Sequence, residues 1–236
     1  MSGHGGHGSH GGHGGHGHGH GGHGGGDDRL AAFTPGRPAA EAWDDFYRQS
    51  PRLWSGRPNA RLVEVAEDLA PGRALDLGCG EGGDAVWLAG RGWTVTAVDV
   101  ATTALARTQE LAAERGVAVT TEQHDLTATL PSGSFDLVSA CFLQSPLEWD
   151  RGALLRRVAT AVEPGGLLLV VDHGAVRPPW GWHDEGEVPT ARQLRASVGL
   201  DDWEDVRVDD PEREATGPDG QVGTVSDAVV LLRRPA

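Results

Sequence analysis

Apolar residues fall along this chain in two alternating rhythms. Short, near-continuous runs give way to longer stretches in which apolar positions recur every three or four residues. The runs at Ala74–Leu77, Trp93–Asp99, Val117–Gln123, Phe135–Cys141 and Gly166–Asp172 predict strands buried on both faces. Between them, Gly83–Arg91, a segment from Thr102 or Thr103 to about Arg115, and Leu147–Val162 carry helical spacing, with Gly116 as a stop. Upstream, Ala39–Gln49 reads as a short helix with Trp43, Phe46 and Tyr47 on one side. Asn59 opens a second helix through Leu69, with Leu62, Val65, Ala66 and Leu69 facing inward, and Pro71-Gly72 ends it.

Strand and helix alternate with one switch of direction, which predicts a mainly parallel sheet covered on both faces. The end of the chain breaks that alternation. After a helix near Thr190–Val198, two extended runs, Trp203–Asp209 and Val222–Arg233, flank Asp210–Gln221, which is rich in Pro, Gly and charge. A connection of that length without a helix joins antiparallel strands, because a parallel crossover needs a dozen or more residues and usually a helix. The expected class is therefore α/β: a doubly wound, seven-stranded, mainly parallel sheet with a C-terminal antiparallel strand. Three segments follow: a tail over 1–26, a helical lead-in over 27–71 and the sheet domain over 72–236.

Composition changes this picture at the start of the chain. Residues 1–26 hold 8 His, 15 Gly, 2 Ser and Met1, too little apolar surface to order themselves. Imidazoles on a flexible chain bind divalent metal readily, so the tail is a metal-binding candidate; neutral low-complexity sequence is the plainer reading. All formal charge, −14, falls on residues 27–236, and every basic residue is Arg. Such acidity repels phosphate backbones and anionic lipid, which argues against nucleic acid or membrane as partner. There is no apolar stretch of membrane-spanning length and no signal-like start, so the cytoplasm is the default expectation. Cys79 and Cys141 fit a reducing compartment, as small packing residues or, in the sharper reading, as a metalloid-binding or redox pair.

The chemistry centres on Ala74-Leu75-Asp76-Leu77-Gly78-Cys79-Gly80-Glu81-Gly82. A strand that ends in glycines and re-enters a helix lets backbone approach an adenosine-containing ligand closely. Asp99 closes the next strand 21 residues after Gly78, about where an acid meets ribose hydroxyls in nucleotide-type folds, roughly 20 residues on. Gly78, Gly80 and Gly83 also satisfy the dinucleotide spacing G-x-G-x-x-G. A pyrophosphate there would face the Asp76 carboxylate, a costly pairing of like charges where water is scarce. S-adenosylmethionine has no phosphate and offers an ammonium, a sulfonium and a ribose diol. A nicotinamide-dependent oxidoreductase would also need a second half or substrate domain, for which 27–236 leaves no room.

The D-x-G-x-G turn with its downstream acid resembles motif I of class I S-adenosylmethionine-dependent methyltransferases. Asp125 in Gln123-His124-Asp125-Leu126, the run Phe135-Asp136-Leu137-Val138-Ser139-Ala140, and Glu163-Pro164-Gly165-Gly166 continue the likeness in order. The resemblance implies a Rossmann-like methyltransferase fold. It also implies that Gly78, Cys79 and Gly80 pass close to the cofactor, that Asp76 meets its ammonium, that Asp99 with Val100 takes the ribose, and that Asp125 with Leu126 meets the adenine. Tyr47-Arg48-Gln49-Ser50-Pro51 and Trp54-Ser55-Gly56-Arg57-Pro58-Asn59 are similar to the lead-in of tellurite-resistance and thiopurine-type methyltransferases. That likeness implies Tyr47 and Trp54 over the sulfonium, Arg57 on the cofactor carboxylate, and a small-molecule acceptor: a thiol, a metalloid oxyanion or a xenobiotic.

Methyl transfer from a sulfonium asks the protein mainly to position donor and acceptor; a base is needed only where the acceptor holds its proton tightly. His173, opening the lid-like stretch 173–183 with Trp180, Trp182 and His183, is the first candidate for that base, against a purely structural role. The rival reading is a metal-response protein that uses the His-rich tail on a weakly catalytic fold.

Overall fold

The computed structural model describes residues 31–178, 188–217 and 220–236. In chain order the elements are α1 (Ala39–Arg48), α2 (Ala60–Ala66), β1 (Arg73–Leu77), α3 (Gly83–Gly90), β2 (Thr94–Asp99), α4 (Thr102–Arg115), β3 (Thr120–Gln123) and β4 (Phe135–Cys141). They continue with α5 (Arg151–Val158), a 3-10 turn (Ala159–Ala161), β5 (Val162–His173), α6 (Ala191–Val198), β6 (Glu204–Asp209), β7 (Glu212–Thr216) and β8 (Val222–Arg233).

The sheet runs β3-β2-β1-β4-β5-β8-β6. Its first five strands are parallel neighbours, and β8 is antiparallel to both β5 and β6. The sheet is thus mainly parallel with an antiparallel C-terminal strand, as expected, but it holds an eighth strand. β7 pairs with the start of β8 inside the charged connection that the pattern reads as irregular. Its sequence, Glu-Arg-Glu-Ala-Thr, has no apolar rhythm because backbone pairing holds it, helped by Arg213 Nε on the buried Asp227 carboxylate at 2.8 Å.

Alternate strand residues serve two cores. Leu75, Leu77, Val138, Leu168, Val170, Val230 and Leu232 pack under α5 and α6 through Leu154, Leu155, Leu194 and Val198. Ala74, Ala97, Leu137, Leu169, Val171, Val229 and Leu231 pack under α2, α3 and α4 through Leu62, Ala66, Leu88 and Leu111. Strands buried on both faces need apolar residues at successive positions, which is why the runs are near-continuous. The lead-in helix α1 docks apart from both cores, its Tyr47 against Ala101 and Ala104 at the start of α4.

Two helix starts differ from expectation. Neither Thr102 nor Thr103 caps α4; Asp44 of α1 reaches across and accepts the Thr103 amide at 2.8 Å. The helix expected from Leu147 starts at Arg151, because Asp150 accepts the Ala153 amide at 2.7 Å and fixes the first turn there.

Candidate cofactor site

The glycine turn follows β1 directly. Gly78 and Gly80 have φ of +65° and +54°, a conformation that L side chains adopt at a cost. The Cys79 amide donates to the Val98 carbonyl at 2.9 Å, and the Gly80 amide donates to Asp99 Oδ2 at 3.0 Å. Asp99 Oδ1 accepts the Ala101 amide at 2.9 Å, and the Thr108 hydroxyl donates to the Gly80 carbonyl at 3.0 Å. The turn between β1 and α3 is therefore pinned to the end of β2 and to α4. Burial pushes the Asp99 carboxyl up to about 6, against the opposing pull of its backbone amide donors.

Asp76 lies 3% exposed on the same sheet face as α3. The Ser139 hydroxyl donates to its Oδ1 at 3.0 Å, and the Ala85 amide of α3 also draws its pKa down, while the buried Oδ2 makes no hydrogen bond of normal geometry among the described residues. Burial, and next the charge of Asp84, holds the Asp76 carboxyl well above the usual carboxylate range. Asp84, in the first turn of α3, is raised by burial too, although the Asn59 amide donates to its Oδ1 at 2.5 Å. The Cys141 thiol lies against Asp84, and burial followed by that acid pushes the thiol up; burial likewise raises Cys79. Both cysteines are free and held protonated, which suits packing better than redox or metal chemistry. Among the described residues no group of three or more His, Cys, Asp or Glu is arranged to hold a metal.

The lead-in covers the turn. A Cβ on Gly80 would lie 3.2 Å from the Tyr47 hydroxyl and 3.6 Å from the Trp54 ring, and one on Gly83 would lie 2.6 Å from the Arg57 carbonyl. Tyr47 is buried, its phenol raised by burial, and the Arg107 guanidinium carbon sits 6.0 Å over its ring. Trp54 is 53% exposed, so of the two aromatics it keeps more surface open to a ligand. The Arg57 side chain is exposed.

The remaining sequence candidates share the C-terminal edge of the sheet. Asp99 pairs in register with Gln123, whose amide donates to the Val100 carbonyl at 3.0 Å. Two residues further on, Asp125 is exposed and its Oδ1 accepts the Thr127 amide at 2.9 Å, while Leu126 is buried. His173 ends β5 and stacks on Phe142, ring centroids 4.3 Å apart. Burial lowers its pKa, opposed by Asp172 and Asp227 and assisted by Arg213. Trp180, Trp182 and His183 of the expected lid, and the whole 1–26 tail, lie outside the described residues.

Sequence reasoning brought Asp76, Gly78, Gly80, Asp99, Tyr47 and Trp54 together, and the structure does the same. It missed Asp84, Glu81, Arg107 and Ser139. An acid in the first turn of the helix after a glycine bend was the one available signal, for Asp84.

The arrangement fits a phosphate-free adenosine cofactor bearing an ammonium. Asp76 Oδ2 is buried without a hydrogen bond of normal geometry, and a cation beside it would offset the burial and the Asp84 charge that raise its pKa, whereas a pyrophosphate would add to them.

Comparison with known proteins agrees. Residues 74–166 match the methyltransferase domain family. The 2-heptyl-1-hydroxyquinolin-4(1H)-one methyltransferase of Mycobacteroides abscessus is 35% identical over 133 residues, 53% of this chain and 58% of that protein. Nocamycin O-methyltransferase of Saccharothrix syringae is 34% identical over 129 residues, 52% of this chain and 45% of that protein. The chain thus spans about half the length of these curated relatives. A solved structure from work on converting a disulfide bond into a thioacetal group during echinomycin biosynthesis superposes with a TM-score of 0.66 at 26% identity, over 83% of this chain and 91% of its own. TehB from Haemophilus influenzae shares the fold with a TM-score of 0.61 at 20% identity, over 81% of this chain and 66% of its own. With its D-x-G-x-G turn, its strand order and a methyltransferase domain matched over residues 74–166, the chain is similar to the class I S-adenosylmethionine-dependent methyltransferases.

Proposed function

We propose that this chain transfers a methyl group from S-adenosylmethionine to a small-molecule acceptor: a thiol, a metalloid oxyanion or a xenobiotic. The observation that carries the cofactor part is the buried Asp76 Oδ2, without a hydrogen bond of normal geometry, beside a turn whose Gly80 amide is fixed by Asp99. When bound, S-adenosylmethionine supplies an already activated methyl on sulfur.

The chain's own residues bind and orient. Asp76 receives the ammonium, Asp99 with Val100 the ribose diol, and Asp125 with Leu126 the adenine edge. Gly78, Cys79 and Gly80 allow close backbone approach, and Arg57 pairs with the cofactor carboxylate. Trp54, with Tyr47 beneath it, covers the sulfonium, where a cation over an aromatic face is worth about 0.5–2 kcal/mol. His173 holds the place of a base for an acceptor that must lose a proton; its lowered pKa keeps the ring neutral near pH 7 and able to accept one.

The small-molecule assignment rests on charge. Some relatives are named for ribosomal RNA, but a net −14 with no Lys is a poor match to a phosphate backbone. The eight-histidine tail binds divalent metal in this reading, apart from the transfer itself.

Calorimetry of the full chain with S-adenosylmethionine tests the cofactor assignment: one site per chain is expected, and no heat of binding overturns it. Screening thiols, tellurite and selenite for consumption of labelled S-adenosylmethionine tests the acceptor class. Turnover on RNA alone would overturn that part.

A further inference from the structure

We propose that Glu81 and Arg107 are positioning residues that fasten segment 47–54 over the glycine turn, and that release of this fastening sets how fast the nucleoside cofactor enters and leaves. The inference rests on the cofactor reading above and adds to it the means by which the site is closed.

Glu81 sits in the glycine turn with its carboxylate almost fully buried. Its Oε1 accepts the Leu53 amide at 3.0 Å and Arg107 Nη1 at 2.6 Å. Its Oε2 accepts the Trp54 amide at 2.8 Å and the Leu53 amide at 3.1 Å. Arg107, on α4, turns its other terminal nitrogen to the Tyr47 carbonyl at 2.9 Å and the Ser50 carbonyl at 2.6 Å. One carboxylate and one guanidinium thus take up backbone groups of Tyr47, Ser50, Leu53 and Trp54.

Residues 49–58 contain no regular element, so their amides and carbonyls have no ladder of their own. A buried amide or carbonyl without a partner costs about 1–3 kcal/mol. While the segment lies down the Glu81–Arg107 pair removes that cost, and when it lifts water takes the pair's place on the backbone groups. The ends of the segment are tied independently: Asp44 holds the Thr102 hydroxyl and Thr103 amide, and the Arg57 carbonyl lies close against Gly83. Loss of the middle fastening therefore frees a loop and leaves α1 docked. That loop carries Trp54, while Tyr47 stays on α1; the Trp54 ring and the Tyr47 hydroxyl both face the side of Gly80 where a Cβ would lie, and where the cofactor is read to lie.

Glu81→Gln keeps the size and removes the fit. A carboxamide has one acceptor oxygen, so its NH2 must face a backbone amide or the guanidinium. Arg107→Lys keeps the charge but has no fork to reach Glu81 and two carbonyls together.

The test combines stopped-flow exchange of S-adenosylhomocysteine with hydrogen exchange of the Leu53 and Trp54 amides in the full chain. In E81Q the off-rate is expected to rise about tenfold or more, the on-rate not to fall, and the stoichiometry to stay at one per chain. The two amides lose protection while those of β4 and β5 keep theirs. R107K gives a smaller shift in the same direction and decides the matter if E81Q does not fold. A merely structural role would instead lower the bound fraction and the protection of the strands. Wild-type off-rates in both variants overturn the proposal. Absence of any S-adenosylhomocysteine binding by the wild type overturns the cofactor reading, and unchanged protection of the two amides then overturns the fastening separately.

Discussion

Asp99 accepts the Gly80 amide at 3.0 Å, so the acid that ends β2 and the glycine turn that follows β1 hold each other in place. The same carboxylate is therefore a structural anchor and the proposed ribose ligand.

That double duty has a pH signature. The Asp99 carboxyl is raised from 3.8 to about 6 by burial, so the native state binds more protons than the unfolded chain between those values. Stability contributed through this group falls as pH rises across that window. Cofactor affinity moves the other way, because a ribose diol donates to a carboxylate. Titration calorimetry is expected to show binding of S-adenosylmethionine weakening as pH drops through about 6. Asp99→Ala removes two or more charge-assisted bonds of about 1.5–3 kcal/mol each, a loss of about a hundredfold or more.

Asp76→Asn separates stability from binding. The raised pKa says that the ionised carboxyl is costly where it lies, so a neutral isostere that still accepts from Ser139 leaves melting unchanged or higher. Affinity for a ligand with an ammonium falls about tenfold or more, by the loss of one charged hydrogen bond. Wild-type affinity in this variant would remove Asp76 from the site.

Gly78→Ala meets two obstacles, positive φ and Leu143 Cδ1 2.5 Å from the new Cβ. Gly116, with φ +67° and open space around it, meets only the first. Gly116→Ala is expected to cost about 1–2 kcal/mol, the price of left-handed backbone for a side chain. Urea unfolding should show Gly78→Ala costing more, and Leu143→Ala in the same chain recovering part of the difference.

Asp44→Ala removes the cap of α4. Burial raises the Asp44 pKa, but hydrogen bonds from Thr103 and Thr102 and the charge of Arg48 outweigh it, so the net shift is downward. A lowered carboxylate contributes stability above its unfolded value of 3.8 and loses it as pH falls through the folded value. The substitution is expected to cost about 0.5–2 kcal/mol near neutrality and less in acid, read from urea midpoints at several pH values.

Removal of residues 1–26 is expected to abolish tight nickel or zinc uptake and to leave S-adenosylmethionine affinity unchanged. Equal metal uptake by both forms would place the metal elsewhere.

The sequence was most readable where local pattern and burial coincide. Phe135–Cys141 appears as a strand with those bounds because Phe135, Val138 and Ala140 meet one core and Leu137 and Cys141 the other. The glycine turn and its acid were equally plain, since strand end, bend and spacing all lie within one stretch. Contacts between distant segments left no such trace. Arg107 lies 26 residues from Glu81 and 60 from Tyr47, and nothing in the composition of α4 marks that arginine apart from its neighbours. Thr102 and Thr103 looked like caps because hydroxyls usually serve there, yet the acceptor came from α1. β7 was hidden because a strand held by its backbone on an exposed edge needs no apolar code.

The position of β8 bears on synthesis. Residues 222–233 lie between β5 and β6, with almost every side chain from Val225 to Leu232 inside. Until the ribosome has made them, the nascent sheet keeps an open seam along β5, a long apolar edge of the kind that invites unwanted pairing. β6 emerges before β8 and must wait, so β8 is the keystone on which covering of that edge depends.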